Sequence, residues 1–176
     1  GREARAFNAS KIFTNHFEED RMIEQKKVEL LKNVRIGKKT THESEKAYAK
    51  KTKTGLEYTI TFKADNSKKV DDSKTVMTHY AVYFEDGSLL DTSILEVAEQ
   101  YQTVNIVKKN QGGYSPIAAK IGPEDSMISG FKEGLKLLNV GDKATLFLPY
   151  YLAYGEMGRS PQIPPKSNLI FEVEIV

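Results

Sequence analysis

Residues 127–176 read MISGFKEGLKLLNVGDKATLFLPYYLAYGEMGRSPQIPPKSNLIFEVEIV. Their first part carries apolar residues at the spacing of one helical face and stops near Gly141; these residues are Met127, Ile128, Phe131, Leu135 and Leu138. Two strands are predicted after that helix, at 144–149 and 169–176. One helix among many strands, with no alternation of strand and helix, predicts an α+β fold in which an antiparallel sheet packs on a single helix.

Upstream of this stretch the apolar residues recur with a period of two, which is typical of half-buried strands. One run contains Leu56, Tyr58, Ile60 and Phe62, and a second extends from Val76 to Phe84. Asp86-Gly87 follows the second run and supplies the residues that hairpin turns favour. The sequence therefore predicts a hairpin that joins the sheet before the helix.

Four separated motifs in the last third follow one another in register. They are I-S-G-F-K-E-G-L (128–135), V-G-D-K-A (140–144), A-Y-G-E (153–156), and I-P-P (163–165) with the closing strand L-I-F-E-V-E-I (169–175). Together with VMTHYAVYFEDGSLLDTS (76–93), they resemble the FKBP-type peptidyl-prolyl cis/trans isomerases over most of residues 55–176. The T-G-L-E-Y entry (54–58) after a Lys-rich segment resembles the Mip-like bacterial subgroup, which has helical N-terminal extensions. The resemblance implies an antiparallel sheet curved around one helix.

The resemblance also implies a site, and each of its residues is matched to a family position. Tyr80, Asp91 and Tyr154 match the catalytic polar positions: the first two at the pocket mouth, the third as hydroxyl donor to the bound amide. The substrate-binding positions are Leu90, Ile117, Met127, Ile128, Phe131, Ile163 and Phe171. The backbone N–H of Ile128 is expected to bind a substrate carbonyl. Taken singly, each aromatic residue among them is more typical of an ordinary core.

The function implied is isomerisation of X-Pro bonds in proline-containing or unfolded polypeptides. The barrier is rotation about a C–N bond of partial double-bond character, about 20 kcal/mol. An apolar pocket that favours the twisted amide lowers it by differential binding and solvent substitution, without a metal or cofactor. His16, His42 and His79 are too widely separated in sequence to indicate a metal cluster.

Several positions depart from the family pattern. Leu90 and Ile117 stand where aromatic walls are usual, and Gln162 and the Arg159-Ser160-Pro161 tip make the rim more polar. These differences predict a shallower pocket and modest activity. The alternative is a non-catalytic chaperone or protein-binding module on the same fold, because a fold does not by itself determine a function.

Residues 1–54 are predicted to form a helical extension, and residues 55–176 the isomerase domain. The extension carries 14 Lys and Arg against 8 Asp and Glu, but the charges interleave, which indicates a solvated helix rather than a nucleic-acid reader. A first helix is expected to stop at Gly37, and Thr40 to Glu43 look like a capping box that opens a second. The apolar residues of this arm include Phe7, Phe13 and Phe17, followed by a stripe of Ile23, Val28, Leu31 and Val34. We expect it to dock either on its own domain or across a homodimer.

Residues 94–114 have no counterpart in a minimal FKBP domain and are interpreted as an insertion. Ile94, Val97 and Tyr101 predict a short helix, Thr103 to Val107 a strand, and Gln111-Gly112-Gly113 a turn.

The chain contains no cysteine, which excludes disulfides and thiol chemistry and suits an oxidising compartment. No run approaches the ~20 apolar residues of a membrane span. The resemblance to secreted relatives implies an extracytoplasmic location, in the periplasm or cell envelope, with a lipid anchor upstream of Gly1 as one expected arrangement.

Overall fold

The computed structural model describes residues 2–65, 68–70 and 75–176, with side chains from residue 14 onward. Its first element is a single helix, α1 (Arg2–Lys46), of 45 residues. The predicted break at Gly37 is therefore wrong. The hydroxyls of Thr40 and Thr41 donate to the carbonyls of Ile36 and Gly37, four residues earlier, at 3.0 Å each, so they bond within the helix instead of capping a new one.

In the described residues, seven strands form one antiparallel sheet. They are β1 (Lys50–Lys51), β2 (Glu57–Phe62), β3 (Thr75–Phe84), β4 (Leu89–Thr92), β5 (Ile117–Lys120), β6 (Lys143–Leu148) and β7 (Leu169–Ile175). Their order is β1-β2-β6-β7-β3-β4, and β5 pairs with the first half of β3. The strands predicted at 56–62, 76–84, 144–149 and 169–176 and the β3–β4 hairpin are confirmed; β1 and β5, of two and four residues, were not predicted.

The helix α4 (Ser129–Lys136) packs on one face of the sheet and encloses the main core. Gly130 and Gly134 lie on the buried side of this helix. A Cβ at Gly130 would lie 2.6 Å from Leu148 Cγ and 2.9 Å from the Leu152 carbonyl oxygen. The two glycines of the S-G-F-K-E-G motif therefore let the helix approach β6 closely, which accounts for the predicted α+β arrangement of one helix on one sheet.

The C-terminal half of α1 covers the opposite face of the sheet. Leu31 and Val34 pack against a second, smaller core that contains Tyr83, Tyr101, Phe147 and Ile170. Of the predicted apolar stripe from Ile23 to Val34, only Leu31 and Val34 pack against this core. Ile23 and Val28 are 53% and 62% exposed. Phe17 is exposed, while Phe7 and Phe13 lie outside the described side chains. In the part of the chain that is described, none of the helices has the length and apolar character to cross a membrane.

Nearer its C-terminal end, α1 contacts the sheet through polar side chains. His42 is 2% exposed, its Nε2–H donates to Glu172 Oε2 at 2.7 Å, and its ring meets Tyr83 edge-on with 5.0 Å between centroids. Lys38 Nζ donates to the same carboxylate oxygen at 3.0 Å, and Thr145 donates to Glu45. A buried polar network thus joins α1 to β6 and β7.

Residues 94–114, which the sequence predicts to be an insertion, hold two short helices, α2 (Leu95–Gln100) and α3 (Ile106–Asn110). The strand predicted at 103–107 is wrong: the Asn105 side chain accepts from Lys108 N and caps α3. Tyr101 is buried and donates to the Gly87 carbonyl at 2.6 Å, and Gln102 Nε2 donates to the Lys27 carbonyl of α1 at 2.9 Å. The insertion therefore braces α1 against the β3–β4 hairpin.

Candidate functional site

A concave pocket of about 690 Å³ opens between the sheet, α4 and the loop after β6. Phe131 of α4 and Phe171 of β7 are both buried, and their rings lie 5.1 Å apart between centroids. Ile163, 5% exposed, adds an aliphatic wall from the loop. Phe131 and Phe171 belong to the main core, so the pocket is an opening into the apolar interior and suits a proline ring.

The mouth of the pocket carries a tyrosine–carboxylate pair. Tyr80 Oη donates to Asp91 Oδ2 at 2.7 Å, and the backbone N–H of Thr92 donates to the other carboxylate oxygen at 2.8 Å. Burial of the Tyr80 hydroxyl and its hydrogen bond to Asp91 raise the pKa of Tyr80 well above its usual range. The hydroxyl therefore stays protonated at neutral pH and can serve as a hydrogen-bond donor.

Two buried hydroxyls hold the backbone of Tyr80. The Ser93 hydroxyl accepts from Tyr80 N at 2.9 Å, and the Thr92 hydroxyl donates to the Tyr80 carbonyl at 2.8 Å. Ser93 Oγ also lies 3.0 Å from His79 Nδ1. Thr92 and Ser93 therefore hold the chain in place at the end of β4, directly after Asp91. Sequence reasoning missed them, because small hydroxyl residues after a strand resemble ordinary turn residues.

The loop after β6 brings Tyr154 over the pocket. Residues Arg159 and Ile163 exchange two backbone hydrogen bonds of 2.8 and 2.9 Å, and Lys166 N donates to the Gly155 carbonyl. Gly158 has φ +66°, and a Cβ there would collide with the carbonyls of Ile163 and Pro164, so the tight return of this loop requires glycine. The guanidinium carbon of Arg159 lies 6.0 Å from the centre of the Tyr154 ring.

All ten residues expected at the site line this one pocket. Tyr80, Asp91, Leu90 and Ile117 come from β3, β4 and β5; Met127, Ile128 and Phe131 come from the start of α4; Tyr154, Ile163 and Phe171 complete the lining. Ile128 is the N-cap of α4, so its N–H lies outside the helical hydrogen bonds. The roles of the ten in binding and catalysis remain predictions.

Four further residues line the pocket: Val82, Ser126, Arg159 and Gln162. Val82 lies two residues after Tyr80 on β3, so the period of two could have placed it on the same face. Arg159 and Gln162 stand out in the sequence as departures from the family pattern.

A second cleft, of about 580 Å³, lies on the other side of the sheet, between α1 and the ends of β6 and β7. Its lining mixes Lys39, Lys46 and Lys51 with Glu43, Glu57 and Glu85, and none of the ten expected site residues belongs to it. In the described residues, three or more His, Cys, Asp or Glu side chains nowhere come together in a way that could hold a metal ion.

The sequence profile described as "FKBP-type peptidyl-prolyl cis-trans isomerase" matches residues 66–176. The chain belongs to this family. The resemblance found in the motifs is thereby confirmed, as is the expected fold.

Individual relatives agree with this assignment. A probable FKBP-type peptidyl-prolyl cis-trans isomerase of Haemophilus influenzae is 33% identical over 129 residues, covering 72% of this chain and 44% of the relative. FkpA of Escherichia coli is 33% identical over 127 residues (72% of this chain, 39% of the relative). FK506-binding protein 2 of Yarrowia lipolytica is 34% identical over 110 residues (62% and 64%). The chain thus spans less than two thirds of the length of these relatives.

Two solved structures show the same fold. The crystal structure of FkpA from Escherichia coli superposes with a TM-score of 0.57 and 28% identity, covering 93% of this chain and 68% of that one. The crystal structure of AtFKBP13 gives a TM-score of 0.55 and 25% identity, covering 72% and 95%.

Proposed function

We propose that this protein catalyses cis/trans isomerisation of X-Pro bonds in polypeptides. The observation that carries the proposal is the pocket itself: an apolar floor of Phe131 and Phe171 with a protonated tyrosine and a carboxylate at its mouth. Membership of the FKBP-type family supports it.

In this mechanism the proline ring enters the pocket and its amide leaves water. The planar, charge-separated form of the amide is then destabilised relative to the twisted form, and hydrogen bonds that fit the twisted amide add to the effect. Tyr154 Oη would donate to the bound amide, and the Ile128 N–H to a neighbouring carbonyl. No covalent intermediate is formed, so no residue serves as nucleophile.

The test is an isomerase measurement on short X-Pro peptides, by a protease-coupled assay or NMR exchange. Tyr154→Phe and Asp91→Ala should each lower kcat/KM several-fold. Tyr48→Phe is the matched control, since Tyr48 is 81% exposed and outside the pocket. A wild-type rate equal to the uncatalysed rate would refute the proposal and leave the non-catalytic binding module in its place.

That second candidate has its own support in the apolar side chains that α1 leaves exposed. Phe17, Met22, Ile23, Val28, Leu30 and Ile36 are each between 53% and 62% exposed. Such surface is typical of a protein that binds unfolded chains or a second copy of itself. Suppression of client aggregation with isomerase activity absent would favour the binding module.

Two finer proposals concern assembly and location. We propose that α1 mediates a homodimer, which would place two pockets around one client and raise the affinity through effective concentration. We further propose an extracytoplasmic location, supported by the absence of cysteine and the resemblance to Mip-like proteins. Labelling of intact source cells with a membrane-impermeant amine reagent tests the location: a cytoplasmic protein stays unlabelled.

A further inference from the structure

Among the described residues, the pocket lining contains two charged side chains, Asp91 and Arg159. They differ in their hydrogen-bond and ion-pair partners. Both oxygens of Asp91 already accept hydrogen bonds, from Tyr80 and from the backbone of Thr92. Arg159 makes no ion pair with any carboxylate in the described part of the chain, and its guanidinium lies near the Tyr154 ring at the rim. Among the described residues, the pocket rim therefore presents one guanidinium that has no carboxylate partner.

The backbone that carries this side chain is held in place. Arg159 is held beside Ile163 by two main-chain hydrogen bonds, and Ile163 is itself a buried wall of the pocket. A side-chain substitution at Arg159 leaves both bonds possible, because they involve only N–H and carbonyl groups. The backbone of Arg159 is thus anchored next to Ile163, and its side chain lines the rim of the pocket.

We infer that Arg159 is a specificity determinant that favours clients with an aspartate or glutamate adjacent to the proline. A planar guanidinium binds a carboxylate through two parallel hydrogen bonds. The Tyr154 ring, 6.0 Å from the guanidinium carbon, adds a cation–π contact on one side. A proline ring over Phe131 and Phe171 brings the flanking residues of the client to the rim, within reach of Arg159. The inference rests on the proposed function, since it assumes that the pocket receives proline.

The test compares peptides that differ only in charge beside the proline: Glu, Gln or Lys placed before it, and the same three placed after it. Both kcat/KM and Kd are measured, by NMR exchange and titration, at low and high salt. At low salt the wild type should prefer Glu over Gln about two- to fivefold at one of the two positions, the range of a single exposed ion pair. Added salt should reduce the preference.

Three variants complete the design. Arg159→Gln should abolish the preference, and Arg159→Glu should invert it in favour of Lys, a result that misfolding cannot produce. Lys166→Gln removes the same charge from the same loop at a residue that does not line the pocket, and it should keep the preference. Isomerase activity with equal treatment of Glu and Gln, or a preference that survives Arg159→Gln, overturns the inference and leaves the proposed function intact. Absence of both binding and activity on every peptide overturns both.

Discussion

Leu90 and Ile117 line the pocket with aliphatic side chains, and they explain the expectation of modest activity. We predict that Leu90→Phe and Ile117→Phe, singly and together, raise kcat/KM on X-Pro peptides by a few fold. The reason is that a phenylalanine ring would bury more apolar surface against the bound substrate than the present side chain does. Each Å² buried contributes about 25 cal/mol to the binding free energy. The protease-coupled assay measures it. Unchanged kcat/KM in the double variant, with the fold intact, would mean that the missing aromatic walls do not limit the rate.

Two glycines of this chain should respond in opposite ways to alanine. Gly130→Ala should destabilise the protein by about 1–3 kcal/mol, because its Cβ would press on Leu148 and on the rigid carbonyl of Leu152. Gly37→Ala should stabilise it by about 1 kcal/mol, because the residue is helical and a Cβ there has no neighbour within 4 Å. Denaturant unfolding of both variants measures the difference, and an equal effect of the two would contradict the packing described for α4.

Among the elements, α1 is joined to the sheet by a contact that depends on pH. Burial alone would raise the pKa of the Glu172 carboxyl, but the hydrogen bond from His42 and the charge of Lys38 outweigh burial and lower it. A carboxyl whose pKa is lower in the folded state adds stability above its unfolded pKa of about 4.3, and this stability is lost as the pH falls through the folded value.

We therefore predict that Glu172→Gln is less stable than the wild type at pH 7, by about 1.5–3 kcal/mol, and that the difference shrinks below pH 4. Urea unfolding of both proteins between pH 7 and pH 3 measures it. Asp142, whose pKa is also lowered, is present in both proteins, so its contribution cancels from their difference. Parallel pH profiles would contradict the role given to this carboxylate.

The insertion should matter for stability through Tyr101. We predict that Tyr101→Phe costs about 1–3 kcal/mol, because it leaves the Gly87 carbonyl without its donor in a buried place. Tyr48→Phe, at an exposed tyrosine, should cost nothing measurable. Thermal unfolding compares the two, and hydrogen exchange of residues 31–45 should rise only in the Tyr101 variant if the insertion braces α1.

At the scale of the whole molecule, the described contacts of α1 indicate which part of this helix can be deleted without uncovering the sheet. Contact with the remainder is seen at Lys27, Leu31 and Val34, while Met22 and Ile23 are exposed. We predict that deletion of residues 2–24 lowers the solution mass to that of a monomer and leaves the melting temperature nearly unchanged. Deletion of residues 1–54 should lower the melting temperature as well, because it uncovers Tyr83 and Phe147.

Light scattering and calorimetry on the full chain and both deletions provide the measurement. A full chain that is already monomeric would show the dimer proposal to be wrong. A 1–54 deletion as stable as the full chain would contradict the docking of α1.

Local patterns in the sequence were sufficient for the elements that carry a regular apolar face. The period of two in β3 and the helical stripe from Phe131 to Leu138 each reflect one buried face, so each could be predicted without knowing its neighbours. The motifs of the last third then identified the family and, through it, the residue types of the pocket.

Local signals failed where a distant contact decided the outcome. The segment from Gly37 to Glu43 has the composition of a helix end, yet α1 continues through it to Lys46. His42 and Glu45, on this last part of the helix, bond to residues of the sheet. Thr103 to Val107 have β-propensity, but Asn105 caps a helix there.

The strands β2, β3, β6 and β7, the helix α4 and the family could be predicted from the sequence alone, because they depend on burial patterns and motifs confined to short segments. The contact between His42 and Glu172, 130 positions apart, and the packing of α1 on the back of the sheet became known only from the three-dimensional structure. The physical reason is that side-chain charge and hydrogen bonding act over a few ångströms of space, whatever the distance along the chain.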